Sequence, residues 1–442
     1  MPVSVDLYRV VLALFQIGAV AVFLDEWSSM DRLKKACEVA DCKGFVASWK
    51  GKLFGCLISK LRQIPIWMSP TQSKSIAPIE MEMVTPTDQA LITFTTGSTG
   101  IPKAANRTHG FLNAQMEALV QKIKPKQGEI EMPALPIFVL LNLGTGVTSV
   151  LPDFNPRKPE KLNAKGIIDQ IRKHRVMRLI ASPFFVKKLA THLNNKNESL
   201  SSLREVFTGG APVFPDEAGF LQTNFSTANV EVVYGSTEAE PISGISANRL
   251  SETSIDKGLL VGKIFSKTEL KIIKIEDRAI DGFDLERLRL LTGQIGEIVV
   301  AGDHVLSDYF RNEEAVCLNK IKKGNEVWHR TGDAGFVDAT GNLFLVGRCK
   351  QLIHFNQKMY APFVIEAQLK NIDGVNLGTV LLVDNQLVVF IEKDRNANGF
   401  EIKKAIHRLF EQEEIQIQFL KKIPRDPRHF TKIDYGKLMR SG

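Results

Sequence analysis

Cysteine is scarce and unpaired in this 442-residue chain: Cys37, Cys42, Cys56, Cys317 and Cys349, an odd number with no Cys-x-x-Cys spacing. That excludes a secreted disulfide framework and a cysteine-ligated zinc site, and it reads as small buried thiols in a reducing cytosol. No internal repeat or low-complexity tract occurs, which excludes solenoids and compositionally disordered tails. No apolar run reaches membrane length. Val10–Leu24 is interrupted at Gln16 and Gly18 and falls short of the roughly 20 residues a bilayer crossing needs. The opening MPVSVDLYR lacks a basic leader, and no small-residue cleavage site follows Leu24, so a signal peptide is excluded and a cytoplasmic location is expected. The run reads instead as helix Leu7–Gln16, a turn at Gly18 and a buried strand Ala19–Leu24.

What is present is ordinary for a globular protein, at 44% hydrophobic and 24% charged residues. The length predicts two to four domains. Lysine and arginine number 57 against 49 acidic residues, a formal +8 with pI near 9.1. That balance suits anionic partners. No nucleic-acid-binding motif accompanies it, so nucleotides, coenzyme A or lipid fit better than DNA or RNA.

Short apolar or β-branched runs predict strands at Ala90–Thr95, Arg178–Ser182, Glu231–Tyr234, Glu297–Ala301, Asn342–Val346 and Gly378–Val383. Helix-period segments Ala164–His174 and Phe184–Leu193 lie between some of them. This alternation predicts an α/β architecture containing parallel sheet. Turn signals at Asp338–Gly341 and Asp384-Asn-Gln predict later antiparallel hairpins. A boundary is expected near Gly347–Lys350, giving a large mixed-sheet domain over 1–348 and a small α+β domain over 349–442. The latter is expected to contain helices Pro362–Leu369 and Gly399–Glu413 and a basic tail. From Lys350 onward 15 basic residues face 11 acidic ones, half the excess charge in about a fifth of the chain.

The densest chemical signal is Leu91-Ile-Thr-Phe-Thr-Thr-Gly-Ser-Thr-Gly-Ile-Pro-Lys103. A buried strand enters a loop with glycines at 97 and 100, hydroxyls at Thr95, Thr96, Ser98 and Thr99, and Lys103. Glycines turn successive backbone N–H groups toward one anion, hydroxyls add donors and lysine adds a point charge. Such a loop cradles a triphosphate. It is not the GxxxxGK[ST] loop, because Pro102 precedes the lysine and no hydroxyl residue follows it.

The run TTGSTGIPK resembles the phosphate loop of the adenylate-forming superfamily of acyl-CoA synthetases, peptide-adenylation domains and luciferases. Val233-Tyr-Gly-Ser-Thr-Glu238 resembles its YGxTE element, Arg330-Thr-Gly-Asp333 its RTGD element, Gly347-Arg348 its hinge opening, and Ile423-Pro-Arg…Lys432-Ile433 its C-terminal lysine motif. The five follow in the family's order over almost the whole chain. The resemblance implies ATP and Mg²⁺ as cofactors and a magnesium-dependent attack of a carboxylate on the α-phosphate. It implies Tyr234 on adenine, with Gly235 and Ser236 beside it and the Gly209-Gly210-Ala211 turn flanking the base. It further implies Thr237 on the phosphates, Glu238 on Mg²⁺, Asp333 and Arg348 on the ribose, Lys350 at a hinge, and Lys432 bridging carboxylate and α-phosphate.

Three departures bear on the reaction. Val139 stands where many acyl-CoA synthetases carry a histidine. The tail Pro424-Arg-Asp-Pro-Arg-His-Phe-Thr-Lys-Ile433 is similar to that of the β-lactone synthetases of bacterial olefin biosynthesis. Asn356-Gln357 replaces a glycine pair that admits pantetheine in typical ligases. The elements that usually precede the segment matching Leu7–Asp25 are absent, so the first domain reads as incomplete at its start. An apolar acyl pocket is expected from Phe138, Leu140 and Gly144–Val150. No acidic residue beside the phosphate loop or just after Tyr234 reads as an ammonium partner, which favours a fatty acyl substrate. The expected reaction is formation of acyl-AMP with transfer to coenzyme A. The alternatives are cyclisation of a β-hydroxy fatty acid to a β-lactone without a thiol, or a non-catalytic nucleotide-binding relative. Chain length, acceptor and oligomeric state are not specified by the sequence.

Overall fold

The computed structural model describes residues 3–23, 30–70, 80–95, 103–156, 158–410, 413–425 and 433–439. A 12-stranded sheet is its backbone. One half is parallel: Thr148–Ser149, Ile130–Pro133, Arg178–Ala181, Glu205–Gly209 and Asn229–Ser236 lie side by side. From Ala239 the chain reverses, and Ala239–Ser246, Leu259–Ile264, Asn342–Arg348, Glu326–Val337, Gly296–Ala301 and Glu269–Ile273 continue antiparallel. The central parallel strands Arg178–Ala181 and Glu205–Gly209 are buried along most of their length because helices cover them. Helix Ala164–His174 places Ile167, Ile168 and Ile171 on one fully buried face. Helix Pro183–Lys196 does the same with Val186, Leu189, Ala190 and Leu193. Each large side chain buried there contributes about 1.5–3 kcal/mol.

A second, three-stranded sheet joins Ala21–Phe23, Gln89–Thr95 and Lys103–Thr108. The opening apolar run folds as expected, with helix Val5–Gln16 capped by Ser4, a left-handed Gly18, and a strand over Ala21–Phe23. Residue 24 lies outside the described residues. Segment 305–310 stitches the two sheets together. Tyr309 bridges Ala105, the Phe310 N–H donates to Ala104 O at 2.8 Å, Val305 bridges Ala239, and the Leu306 N–H donates to Glu238 O at 2.7 Å.

The C-terminal strands Val375–Val383, Gln386–Lys393 and Ile415–Leu420 form a separate sheet. Its core gathers Leu369, Val389, Ile391, Ile402 and Ile406. The Asp384-Asn385 turn has both residues at positive φ, the conformation a two-residue hairpin needs. One helix is shorter than its sequence suggests. Gly399–Leu409 stops before Glu413, because Phe410 leaves helical geometry to pack into the core against Tyr360. Glu413 then turns to Lys358, at 2.9 Å.

The 12-stranded sheet depends on close backbone approach at Gly335, where a Cβ would stand 2.3 Å from the Phe344 carbonyl oxygen. Gly335→Ala should push strands Glu326–Val337 and Asn342–Arg348 apart and lower stability by about 1–3 kcal/mol. Urea unfolding of the variant checks this, and an unchanged midpoint would contradict it.

Candidate active site

Two clusters stand out. The first gathers around Tyr234 on the large sheet. Tyr234, on strand Asn229–Ser236, donates its hydroxyl to Asp333 Oδ2 at 2.8 Å. Asp333 and Arg348 face each other across paired strands and join at 3.1 Å. The Thr331 hydroxyl accepts from the Asp333 N–H at 3.0 Å, and the Thr331 carbonyl accepts from Arg348 Nη1 at 3.2 Å. Burial, reinforced by Asp333, pushes the Tyr234 phenol well above its usual range, so it remains a neutral donor. The Gly209–Gly210 turn abuts this tyrosine's strand. Gly209 pairs with Val233, and a Cβ on it would lie 2.5 Å from the Val233 carbonyl oxygen. Gly210 has φ +83°, and Ala211 follows it, half-buried.

The second cluster gathers cations around Glu238. Lys103 begins the strand after the phosphate loop and pairs with Thr95 across the hairpin. Its ammonium donates to Asn319 Oδ1 at 2.8 Å and lies 5.4 Å from the Tyr309 ring centre. Lys320 approaches the same ring at 5.1 Å and donates to the Leu306 carbonyl. The Tyr309 hydroxyl donates to Glu238 Oε1 at 3.1 Å. Burial pushes the Lys320 ammonium down to about 7, with Glu238 opposing and Lys103 adding. Burial also lowers Lys103, against Glu238, and the charge of Lys350 contributes in the same direction as burial.

Arg107, only 6% exposed, crosses toward the Tyr234–Glu238 hairpin. Its guanidinium donates to the Thr93 hydroxyl and, through Nη2, to the Thr237 carbonyl at 3.2 Å. The Ser236 hydroxyl accepts from the Glu238 N–H at 3.2 Å. The fold thus brings together Lys103, Thr237 and Glu238 on one side and Gly209, Gly210, Ala211, Tyr234, Gly235, Ser236, Asp333 and Arg348 on the other. Thr96, Gly97, Ser98, Thr99, Gly100 and Lys432 lie outside the described residues, as do Arg428 and His429. The expected acyl-pocket residues divide. Phe138 packs into a core with Leu119, Leu141 and Phe207, while Gly144, Gly146 and Thr148 are exposed.

Glu240, six residues after Tyr234, is half-buried and lies in the field of Arg107. Local sequence carried no signal for Tyr309, Lys320 or Arg107, because their positions arise from distant segments meeting. A divalent cation fits at Glu238. Mg²⁺ uses one or two carboxylates plus phosphate oxygens, and no cage of three or more His, Cys, Asp or Glu exists among the described residues. No described helix is long and apolar enough to cross a membrane.

Residues 1–310 match the family described as AMP-binding enzyme. An olefin β-lactone synthetase of Stenotrophomonas maltophilia is 28% identical over 404 residues, covering 84% of this chain and 71% of that protein. 4-Coumarate–CoA ligase 3 of Arabidopsis thaliana is 27% identical over 362 residues, 77% of this chain and 61% of that one. The fold matches amide bond synthetase McbA of Marinactinospora thermotolerans, with TM-score 0.79 and 19% identity over 98% of this chain and 87% of that chain. It also matches ATP-bound MatB of Rhodopseudomonas palustris, with TM-score 0.78 and 19% identity over 99% and 86%.

Lys320→Met tests the cationic cluster. The folded chain disfavours protonating Lys320, whereas the unfolded chain holds that proton up to the ordinary lysine range near 10.5. Wild-type stability should therefore gain from this group as pH rises above about 7, and the variant should lose that gain. At pH 6 the variant should be as stable as wild type or more so. Its ATP affinity there should fall roughly tenfold, the ~1.4 kcal/mol scale of a charge-assisted contact. Thermal unfolding from pH 6 to 9 and ATP titration read both effects.

Proposed function

The chain belongs to the AMP-binding enzyme family, and from that premise we propose that it activates a fatty-acyl-type carboxylic acid as acyl-AMP. The carboxylate oxygen attacks the α-phosphorus of ATP and pyrophosphate leaves. Both reactants are anionic, so the barrier falls mainly through charge neutralisation and in-line positioning. The observation that carries this reading is the convergence of Lys103, Lys320 and Arg107 around Glu238, beside the Tyr234–Asp333–Arg348 pocket. Tyr234 offers a ring to adenine. Asp333 accepts from ribose hydroxyls while Arg348 steadies its carboxylate. Lys103 and the Thr237 hydroxyl face the phosphates, and Asn319 fixes the lysine. Mg²⁺ held by Glu238 would supply further neutralisation of the phosphates. Lys432 bridges the carboxylate and the α-phosphate when segment 349–442 swings about Lys350.

For the second half-reaction we favour ring closure. Two olefin β-lactone synthetases are 28% identical over most of the chain. A β-lactone is a four-membered cyclic ester, so the attacking oxygen must sit on the β-carbon of the acid. That hydroxyl attacks the acyl carbon, its proton is lost and AMP departs. Asn356 and Gln357 support this reading. They adopt the left-handed turn (φ 48° and 61°) that glycine favours, yet carry side chains, and Asn356 is tied to Glu413 at 2.9 Å. Side chains there narrow the route a thiol would take. Transfer to coenzyme A is the second reading, and it rests on the similarity to 4-coumarate–CoA ligases.

The test supplies ATP, Mg²⁺ and either a β-hydroxy fatty acid or its deoxy analogue, with and without CoA. Pyrophosphate release and a CoA-independent neutral product are expected from the hydroxy acid, with the deoxy acid stalling as acyl-AMP. Lys432→Ala should slow pyrophosphate release at least 10²-fold, the scale of one lost transition-state contact, while ATP binding persists. A CoA thioester from the deoxy acid and no lactone would establish the ligase. No pyrophosphate release with any acid would leave a nucleotide-binding protein.

A further inference from the structure

Helix Trp49–Gly55 is apolar on the side that faces water. Its inner side is fixed by Gly55, where an added Cβ would stand 2.9 Å from Phe45 Cε1 and 3.1 Å from Trp67 Cη2. Phe45 and Trp67 pack in turn on a small buried cluster of Cys37, Ile58 and Leu61. At about 3.6 residues per turn, Trp49 and Leu53 lie about 40° apart on the side away from Gly55, and Lys50 and Lys52 each lie about 60° further round, one on either flank. Leu57 follows in the next turn, where its N–H donates to the Phe54 carbonyl at 3.0 Å. Trp49, Leu53 and Leu57 are 70%, 66% and 76% exposed. The Lys50 ammonium lies 5.4 Å from the Trp49 ring centre, so cation and apolar ridge are in contact range.

The charge around this ridge has one sign. No aspartate or glutamate occurs between Asp41 and Glu80, whereas Lys43, Lys50, Lys52, Lys60, Arg62 and Lys74 do, a +6 segment in a chain whose formal charge is +8. Lys43, Lys50, Lys60 and Arg62 are exposed and Lys52 is half-buried. Charge and apolarity together select the occupant. A second copy of the chain would bring the same cations against these. A nucleic acid would answer the charge and leave the tryptophan and leucines in water. An anionic bilayer answers both, because its headgroups take the ammonium groups while the boundary with the acyl chains takes the apolar ridge. The long lysine stems let the two kinds of contact form side by side.

We propose that the Trp49–Leu57 ridge docks the protein on an anionic lipid bilayer, with Trp49, Leu53 and Leu57 in the headgroup–acyl boundary and Lys50 and Lys52 among the lipid phosphates. The contact is peripheral, in keeping with the lack of any described helix long and apolar enough to cross a membrane. It goes beyond the proposed reaction and depends neither on which acid is activated nor on the acceptor.

The experiment is co-sedimentation of the full chain with vesicles of phosphatidylcholine alone or of phosphatidylcholine mixed with phosphatidylglycerol. Wild type is expected to bind the mixed vesicles at least tenfold more tightly. That binding should weaken at least tenfold between about 0.1 M and about 1 M salt, as the screening length falls from about 10 Å to about 3 Å. Leu53→Gln/Leu57→Gln keeps the charge and should cost roughly tenfold or more. Lys50→Gln/Lys52→Gln should cost about fivefold for each charge. Lys403→Gln/Lys404→Gln removes the same charge from the exposed side of helix Gly399–Leu409 and should leave binding unchanged. Thermal unfolding of each variant checks its fold, and if the leucine pair lowers it, Trp49→Ser alone carries the same test. Failure of wild type to bind the mixed vesicles overturns the proposal, as does equal binding to both vesicles. Undiminished binding by the folded ridge variant overturns it too, as does an equal loss in Lys403→Gln/Lys404→Gln. A wild-type dimer in analytical ultracentrifugation that Leu53→Gln/Leu57→Gln dissolves would assign the ridge to a second copy and overturn the lipid assignment.

Discussion

Everything at the candidate active site hangs on the stitch made by segment 305–310. The hairpin carrying Lys103 belongs to a three-stranded sheet, and Glu238 lies in the turn joining two central strands of the large one. No strand is shared between them. The segment pairs with both, through Tyr309 with Ala105 and through Leu306 and Val305 with Glu238 and Ala239. Two buried side chains complete the joint. Tyr309, 2% exposed, spans from the Lys103 and Lys320 ammoniums to the Glu238 carboxylate. Lys320 locks the segment by donating to the Leu306 carbonyl. Loss of this stitch would leave each motif intact in its own sheet and no site between them.

The joint is also electrostatically expensive. Lys320 is almost fully buried with a carbonyl and an aromatic face as neighbours, and its nearest opposing carboxylate is shared with Lys103 and Arg107. A core selected for stability alone would place an apolar side chain there. The two clusters differ in their balance: Lys103, Lys320 and Arg107 lie in the fields of Glu238, Asp308 and Glu240, whereas at Tyr234 a single Asp–Arg pair balances itself.

Much of this was legible in the sequence, for definite physical reasons. Helix Ala164–His174 could be read to the residue, because its three buried isoleucines obey helical period and Asn163 caps it. The switch from parallel to antiparallel pairing followed from helix-length connections giving way to Asp338–Gly341 and Asp384–Asn385 turns. Motif residues such as Tyr234, Asp333 and Arg348 were legible because they cluster locally in the chain. Tyr309, Lys320, Arg107 and Glu240 were not. Each acquires its role from a partner tens to hundreds of positions away, and nothing in local composition encodes such a meeting. The end of helix Gly399–Leu409 was misjudged for a similar reason: Phe410 is pulled from helical geometry by Tyr360, a contact across 50 residues.

The chain is clamped on both sides of residues 426–432. Before residues 426–432, Arg425 makes a bidentate pair with Glu392 at 3.1 Å on both arms. After them, Ile433 is buried and bridges back to Arg425, and the Tyr435 hydroxyl donates to Glu366, which also accepts from Thr379 at 2.8 Å. Both ends of the Lys432 segment are therefore anchored to the small C-terminal sheet and its helix. Helix Pro362–Lys370 also ties that sheet to the large one: Val364 shares a buried cluster with Ala334, Phe336 and Val346, Ala367 enters the large core, and Phe363 meets Phe214 at 5.3 Å. Any large displacement of Lys432 would then carry the whole C-terminal sheet with it.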